Sequence, residues 1–327
     1  MKFKLFPLLA LFCCQTIMAQ QVDYSVVYVP EETGLNLTLI TSDNDYVCLP
    51  IVNRKLNSLE WLTNRILGIS KDGKTLAYLS ARNDNSNIFL KELGKQGGSI
   101  QRTNRTAVLD FTYSPDGKYI VFSEAIGENN QIFQTDASRG YICRQITNGS
   151  EDYSPVYASD MSQIFFARQE LNGLSIWCHD VKSNYLSTIA TGMNPCPVPG
   201  TQTLLACRFN GDDHGEIWRI DIENGTEECV VSDAKRSFTT PQISPDGEWI
   251  LMVGSTPLSM GAGTNQYYYN TDIYVCRTDG TDLTQLTYHA ADDLSPVWSA
   301  DGKQIYFISQ RGSATGTANV WRMNFNL

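Results

Sequence analysis

Paired carboxylates are the groups in this sequence whose types and spacing best suit chemistry. The pairs Glu151-Asp152 and Asp292-Asp293 each stand directly before a short segment that contains Ser-Pro, and Asp212-Asp213 lies in a polar stretch. Neighbouring carboxylates can bind a divalent cation through their oxygens, and they attract basic partners. These pairs are therefore candidates for a cation or partner site, with local structural pairing as the alternative.

Histidines and tyrosines are the next candidates. The sequence holds three histidines, His179, His214 and His289, which are too scattered to predict a histidine-rich metal site. Tyr267, Tyr268 and Tyr269 lie in an insertion, about residues 254–271, that also contains several glycines. Aromatic side chains with polar tips suit protein interfaces and sugar faces, although these tyrosines could equally begin a strand. No G-x-S-x-G pattern is present, so a hydrolase nucleophile of that kind is not expected.

The elements that must position these residues come from an internal repeat. The phrase Ser114-Pro115-Asp116-Gly117-Lys118 precedes an alternating apolar segment and recurs around Asp72, Asp246 and Asp301, with weaker copies at Asp160 and Gly200. Asp72, Asp116 and Asp160 are each 44 residues apart. We count six units, which begin near residues 60, 106, 150, 194, 238 and 293.

Each unit follows the same order of elements. An apolar segment leads to an Asp-Gly turn, whose glycine supplies the positive φ of a tight hairpin, and an alternating strand follows. A third strand comes after a polar loop, as in Asp272-Ile273-Tyr274, and some units add a short fourth strand, as in Thr284 to Thr287. Four strands at this period are one blade of a β-propeller. The sequence predicts an all-β, six-bladed propeller with four antiparallel strands in each blade.

The two ends of the chain are expected to close the ring. The last unit stops after its third strand, near Asn324, whereas residues 35–41 precede the first unit and have the pattern of a strand. We expect this N-terminal strand to be the outermost strand of the last blade, where it would cover an otherwise open edge.

The repeat resembles the TolB-type propeller repeat, a relative of the WD-type repeat. Residues 295–307 match its Ser-Pro-x-Trp-Ser-Pro-Asp-Gly phrase except at Ala300, and the segments at Asp272 and Thr284 match its other two parts. The resemblance covers about residues 60–325 and implies a binding or scaffolding propeller of a bacterial cell envelope, with protein partners. TolB itself carries an N-terminal α/β domain, which we do not expect in the residues before the first unit here.

A second resemblance provides the alternative function. Oligogalacturonate lyases have a similar propeller and hold a metal with several histidines. The alternative is therefore a glycan-binding propeller or a metal-dependent, lyase-like one, with a bound divalent cation.

The start of the chain is typical of an export signal. Met1 to Lys4 is basic, Leu5 to Phe12 is apolar, and Ala19 offers a small residue for cleavage, so residues 1–19 are predicted to be a signal peptide of a periplasmic protein. A lipid anchor at Cys13 or Cys14 is the alternative. The apolar run is far too short for a transmembrane helix, and no later stretch reaches that length.

The charge of the chain argues against nucleic-acid binding, and its cysteines argue against a zinc site. The net charge of −10 becomes −12 once the signal peptide and its two lysines are removed, and no cluster of basic residues indicates nucleic-acid binding. The seven remaining cysteines form no CxxC motif, and several lie in apolar strand patterns, which favours buried free thiols over zinc ligands.

The site prediction follows from the propeller. Loops between second and third strands, and connections between blades, lie on one face around the central opening. The candidate ligand or partner residues on that face are Glu151, Asp152, Asp292, Asp293, His289, Tyr267, Tyr268 and Tyr269, without a catalytic residue or a required cofactor. The structural alternative pairs the acids with Arg82, Arg168, Arg208 and Arg311, which follow second strands in four units.

Overall fold

A computed structural model describes residues 24–32, 34–50, 65–82, 85–95, 97–139, 141–210, 214–260 and 267–327, without the side chains of 257–260 and 267–269. The predicted signal peptide and the alternative anchor at Cys13 or Cys14 lie outside these residues. Within them no helix is long and apolar enough to cross a membrane.

The six-bladed propeller is confirmed, with four antiparallel strands in every blade. In chain order the strands are β1 (Thr38–Leu39), β2 (Leu67–Ile69), β3 (Thr75–Ser80), β4 (Asn87–Glu92), β5 (Ile100–Gln101), β6 (Val108–Tyr113), β7 (Tyr119–Ile126), β8 (Asn129–Asp136), β9 (Cys143–Gln145), β10 (Glu151–Tyr157), β11 (Gln163–Glu170), β12 (Gly173–Asp180), β13 (Leu186–Thr191), β14 (Met193–Pro197), β15 (Thr203–Phe209), β16 (Gly215–Asp221), β17 (Glu227–Val231), β18 (Ser237–Ile243), β19 (Trp249–Met260), β20 (Tyr267–Arg277), β21 (Thr284–Gln285), β22 (Asp293–Trp298), β23 (Gln304–Ser309) and β24 (Asn319–Asn324).

Blades 1 to 5 are β2–β5, β6–β9, β10–β13, β14–β17 and β18–β21, and blade 6 has the order β1-β24-β23-β22. The N-terminal strand is therefore the outermost strand of the last blade, as the sequence predicts. Thr38 pairs with Arg322 and Leu39 with Trp321. Two single 3₁₀ turns, Pro30–Glu32 and Asp43–Asp45, flank this strand.

The repeated Ser-x-Asp-Gly phrase is a closed hydrogen-bond motif. In blade 2 the Ser114 hydroxyl donates to Asp116 Oδ1 at 2.7 Å and accepts from the Tyr119 amide at 2.9 Å. Gly117 has a φ of 75°, a conformation that glycine adopts without a Cβ penalty. The same bonds recur in blades 1, 5 and 6, which explains why the phrase recurs.

The core consists of the apolar faces of the strands, packed blade against blade. Phe111, Phe166 and Phe307 are fully buried examples. Cys178, Cys196, Cys207 and Cys276 are buried among these residues, and all seven cysteines of residues 24–327 are free thiols. Buried cysteines of this kind pack as small apolar side chains, as the strand patterns indicate.

Arg65 crosses the central channel. Its guanidinium donates to the carbonyl oxygens of Asn194, Pro195 and Pro241 at 3.1, 2.9 and 3.1 Å, which joins blade 1 to blades 4 and 5. In blades 3 to 6 the innermost strand has a bulge at a residue of positive φ that precedes proline, namely Ser154, Asn194, Thr240 and Ser295. Such bulges redirect the backbone, and here two of them aim carbonyl oxygens at Arg65.

Candidate functional site

The predicted site residues lie on what we call the loop face, which carries the second-to-third strand loops and the connections between blades. The opposite turn face carries the Ser-x-Asp-Gly turns. On the loop face the structure places most of the predicted acids in bonds within the protein.

Asp152 is fully buried and binds the guanidinium of Arg168. Arg168 Nε lies 2.7 Å from Asp152 Oδ1, and Nη2 lies 3.0 Å from Oδ2, a bidentate geometry. The same guanidinium stacks 4.3 Å from the Trp177 ring centroid. The neighbouring Glu151 accepts a hydrogen bond from the Tyr153 hydroxyl at 2.6 Å. Both acids therefore bond to residues of their own blade, as the structural alternative predicts.

Asp293 belongs to a buried ionic triad that sequence reasoning did not find. Arg311 pairs with Asp293 and also with both oxygens of Glu32, at 2.7 and 2.9 Å, and all three side chains are inaccessible to solvent. Burial raises the pKa of Asp293 to about 6, against the opposing effect of the Arg311 charge. The predicted Arg311 pairing is confirmed, but its second partner comes from the N-terminal segment.

Asp272 lies beside this triad, in the middle of β20, the long third strand of blade 5. It accepts hydrogen bonds from Asn270, Gln285 and Thr287. Burial raises the pKa of Asp272 to about 9, and the negative charge of Asp293 is the second largest cause. Asp292 lies nearby and accepts a hydrogen bond from the Thr271 amide at 3.1 Å. The loop face thus gathers four acids between blades 5 and 6.

His289 holds the N-terminal segment in place. Its Nδ1 accepts from the Ala291 amide at 2.9 Å, so its Nε2 carries the proton and donates to the Val26 carbonyl oxygen at 3.1 Å. The ring is buried, and both of its nitrogens are engaged. His289 is therefore placed for structural support rather than for metal ligation or proton transfer.

The other two histidines lie apart from His289. His179, in blade 3, ends a third strand on the turn face, and burial lowers its pKa. His214, in blade 4, contacts the carbonyl oxygen of Asp233 at 3.3 Å; Asp212 and Asp213 lie outside the described residues. Among the described residues, no three His, Cys, Asp or Glu side chains gather as a metal site.

Tyr267, Tyr268 and Tyr269 begin β20 and lie at the outer end of the described part of a long hairpin. The strands β19 and β20 have 12 and 11 residues, whereas the second and third strands of other blades have six to eight. Met260 pairs with Tyr267, Ser259 with Tyr268, and Pro257 with Tyr269. At about 3.3 Å per residue, four extra residues per strand carry this hairpin more than 10 Å beyond the loop face.

Sequence reasoning missed two features of the loop face. Residues 24–32 cross from blade 6 to blade 5, where the Tyr288 amide donates to Glu32 and the Gly312 amide donates to Val26. Arg82 and Arg208, which we expected to pair with the paired acids, instead bind Asp45 and Glu227. The recurring signal that could reveal these arginines is the aromatic residue of the third strand, since Arg82 stacks on Phe89 and Arg208 on Trp218.

Comparison with known proteins supports the fold. No family model matches the sequence. A TolB-assigned protein from Agrobacterium tumefaciens superposes with a TM-score of 0.60 at 16% identity, over 80% of this chain and 90% of that one. TolB from Acinetobacter baumannii gives 0.58 at 19% identity over 72% of this chain, which spans only 56% of that protein.

Oligogalacturonate lyase from Vibrio parahaemolyticus gives a TM-score of 0.60 at 14% identity, over 91% of this chain and 96% of that one. These superpositions establish a shared propeller fold, and identities this low leave function to the site itself.

Proposed function

We propose that this chain is an exported propeller of a bacterial cell envelope that binds or organises protein partners through its loop face, and that it has no catalytic centre of its own. The observation that carries the proposal is the extended hairpin β19–β20, which projects from that face. A projecting hairpin offers both a strand edge and side chains to a partner.

The bonding of the candidate acids and histidine supports a binding role. Asp152, Asp293 and His289 have buried partners within the fold, and a general acid, base or metal ligand must instead reach a substrate. The TolB-like neighbours have the same propeller and support an envelope role by analogy of fold.

The test is affinity capture from an envelope fraction with the mature protein, residues 20–327. A variant with Tyr267, Tyr268 and Tyr269 changed to Ala should lose at least one captured protein. The control variant changes Tyr141, Ile142 and Tyr185 to Ala; these are large exposed residues on the turn face. Identical captured sets for all three proteins would contradict the proposal.

The alternative is a glycan-binding or metal-dependent glycan-processing propeller, and the oligogalacturonate lyase neighbours fit it. It predicts cleavage of an acidic glycan that EDTA abolishes and that His214→Ala or His289→Ala impairs. Binding to protein partners that survives EDTA favours the first proposal instead.

A further inference from the structure

A groove of about 770 Å³ lies between blades 1 and 2 on the turn face. Its walls are the Ser70–Thr75 turn, the Asp116–Tyr119 turn and the connection at residues 136–139. Volumes of this order are usual for small-ligand sites.

The walls of this groove are held in a fixed relation to each other. A Cβ at Gly117 would lie 3.1 Å from Lys71 Cβ, so the two turns are in direct contact. Arg102 Nη1 donates to the Ser138 carbonyl oxygen at 2.8 Å, which ties the outer edge of blade 1 to blade 2. The groove is therefore formed before any ligand arrives, which reduces the entropic cost of binding.

Four cationic side chains face this groove, and two of them have partners: Lys118 pairs with Asp116, and Arg102 donates to the Ser138 carbonyl oxygen. The four are Lys71, Arg102, Lys118 and Arg139. The side chains of Lys71 and Arg139 are exposed, and Arg139 interacts electrostatically with Asp136. Among the described residues, the buried Arg102 Nε has no acceptor. Guanidinium and ammonium groups placed in this way suit a carboxylate, which can accept from several of them at once.

The charge of the whole molecule also favours an anionic ligand at this place. Residues 65–149, which form blades 1 and 2, contain 11 Lys and Arg against 8 Asp and Glu. Residues 150–327 contain 10 Lys and Arg against 21 Asp and Glu. Residues 20–64 add 2 Lys and Arg against 6 Asp and Glu, and Asp45 among them already pairs with Arg82 and Lys91 of blade 1. The first two blades therefore repel an anion less than the later blades do.

The remaining lining suits hydroxyl groups and sugar rings. Three turn aspartates each accept a hydrogen bond from a main-chain amide of their own turn: Asp72, Asp116 and Asp136. Each carboxylate can still accept a further hydrogen bond from a ligand hydroxyl. Tyr113 and Tyr119 contribute aromatic surface. None of the lining residues belongs to an outermost strand, so the groove offers no strand edge to an extended peptide.

We propose that this groove binds an acidic oligosaccharide. Its carboxylate contacts Lys71, Arg102 and Arg139, and its hydroxyls and ring faces contact the turn aspartates and the two tyrosines. This site lies on the opposite face from the extended hairpin and is independent of the partner binding proposed above.

Calorimetric titration of residues 20–327 with tetrasaccharides tests the proposal. The ligands are a mannuronate tetrasaccharide, a hyaluronan tetrasaccharide and neutral maltotetraose. We expect at least one acidic ligand to bind ten-fold or more tightly than maltotetraose, with affinity that falls as salt is raised. The double variant K71Q/R139Q should weaken that binding at least ten-fold.

The matched control is K182Q/K303Q, which removes two exposed lysine charges outside the groove, with Lys303 in the corresponding turn of blade 6. Its affinity should stay within two-fold of the unmodified protein. The proposal is overturned if no acidic ligand binds, if maltotetraose binds equally well, or if the two double variants lose affinity equally.

Discussion

The Thr41 hydroxyl accepts a hydrogen bond of 2.8 Å from the amide of Val320, a residue 279 positions later in the chain. The same bond links Thr103 to Ile88, Thr147 to Ile132 and Thr287 to Ile273, each within one blade. The N-terminal segment thus supplies to blade 6 the threonine that the residues just after the fourth strand supply in blades 1, 2 and 5. Ring closure therefore repeats the bonding of an ordinary blade with residues from the other end of the chain.

Loss of the Thr41 hydroxyl is predicted to weaken ring closure. Thr41→Val removes the acceptor of the buried Val320 amide and the donor to Asn319 Oδ1, so we expect a loss of about 1–2 kcal/mol in the free energy of unfolding. Urea denaturation measures it. Thr38→Val, at an exposed position in β1 three residues earlier, should change stability by less than about 0.5 kcal/mol. Removal of residues 20–45 should lower the melting temperature; an unchanged value would refute the role of this segment.

The buried triad gives a second prediction. Arg311→Leu leaves Glu32 and Asp293 as buried carboxylates without their cation, so it should destabilise the protein by about 3–5 kcal/mol. Lys95→Met breaks an exposed pair with Glu92, where the Lys95 side chain is 68% accessible, and should cost less than about 1 kcal/mol. Equal effects in thermal unfolding would show that the triad does not stabilise the junction of blades 5 and 6.

Asp272 predicts a dependence of stability on pH. Its pKa in the folded protein is about 9, above the ordinary 3.8, so the folded state retains a proton that the unfolded chain releases. The resulting stabilisation is complete below about pH 4 and is lost as the pH rises through 9. The variant Asp272→Asn cannot ionise, so it does not lose stability as the pH rises. Asparagine already occupies the corresponding positions in blades 1 and 6, as Asn87 and Asn319.

The stability gained by Asp272→Asn over the unmodified protein should therefore increase from pH 5 to pH 8, as measured by urea denaturation at both values. A gain that is constant or smaller at pH 8 would show that the Asp272 carboxyl is ionised in the folded state.

The strands and turns could be predicted from sequence because each depends on neighbours within about ten residues. The Ser114-x-Asp116-Gly117 motif makes its own hydrogen bonds, so its recurrence marks four of the six blades. The role of residues 35–41 was predictable because the last unit lacked a fourth strand. The pairing of Arg168 with Asp152 could be predicted because the two residues occupy fixed places in one blade.

Contacts across the ring could not be predicted in this way. Glu32 meets Arg311 across 279 positions, and no periodicity relates them. Arg65 lies outside every repeated phrase, and its carbonyl acceptors arise from bulges in blades 4 and 5. The same limit applies to His289: its sequence context suggested a ligand, whereas its partner is the Val26 carbonyl oxygen, 263 residues away.

Site-specific photo-crosslinking in living cells tests the central claim most directly. A photoreactive amino acid at position 268, on the extended hairpin, should give a discrete adduct with an envelope protein. The same amino acid at position 185, which is exposed on the turn face, should not give that adduct. No adduct at position 268, or the same adducts at both positions, would contradict partner binding through the loop face.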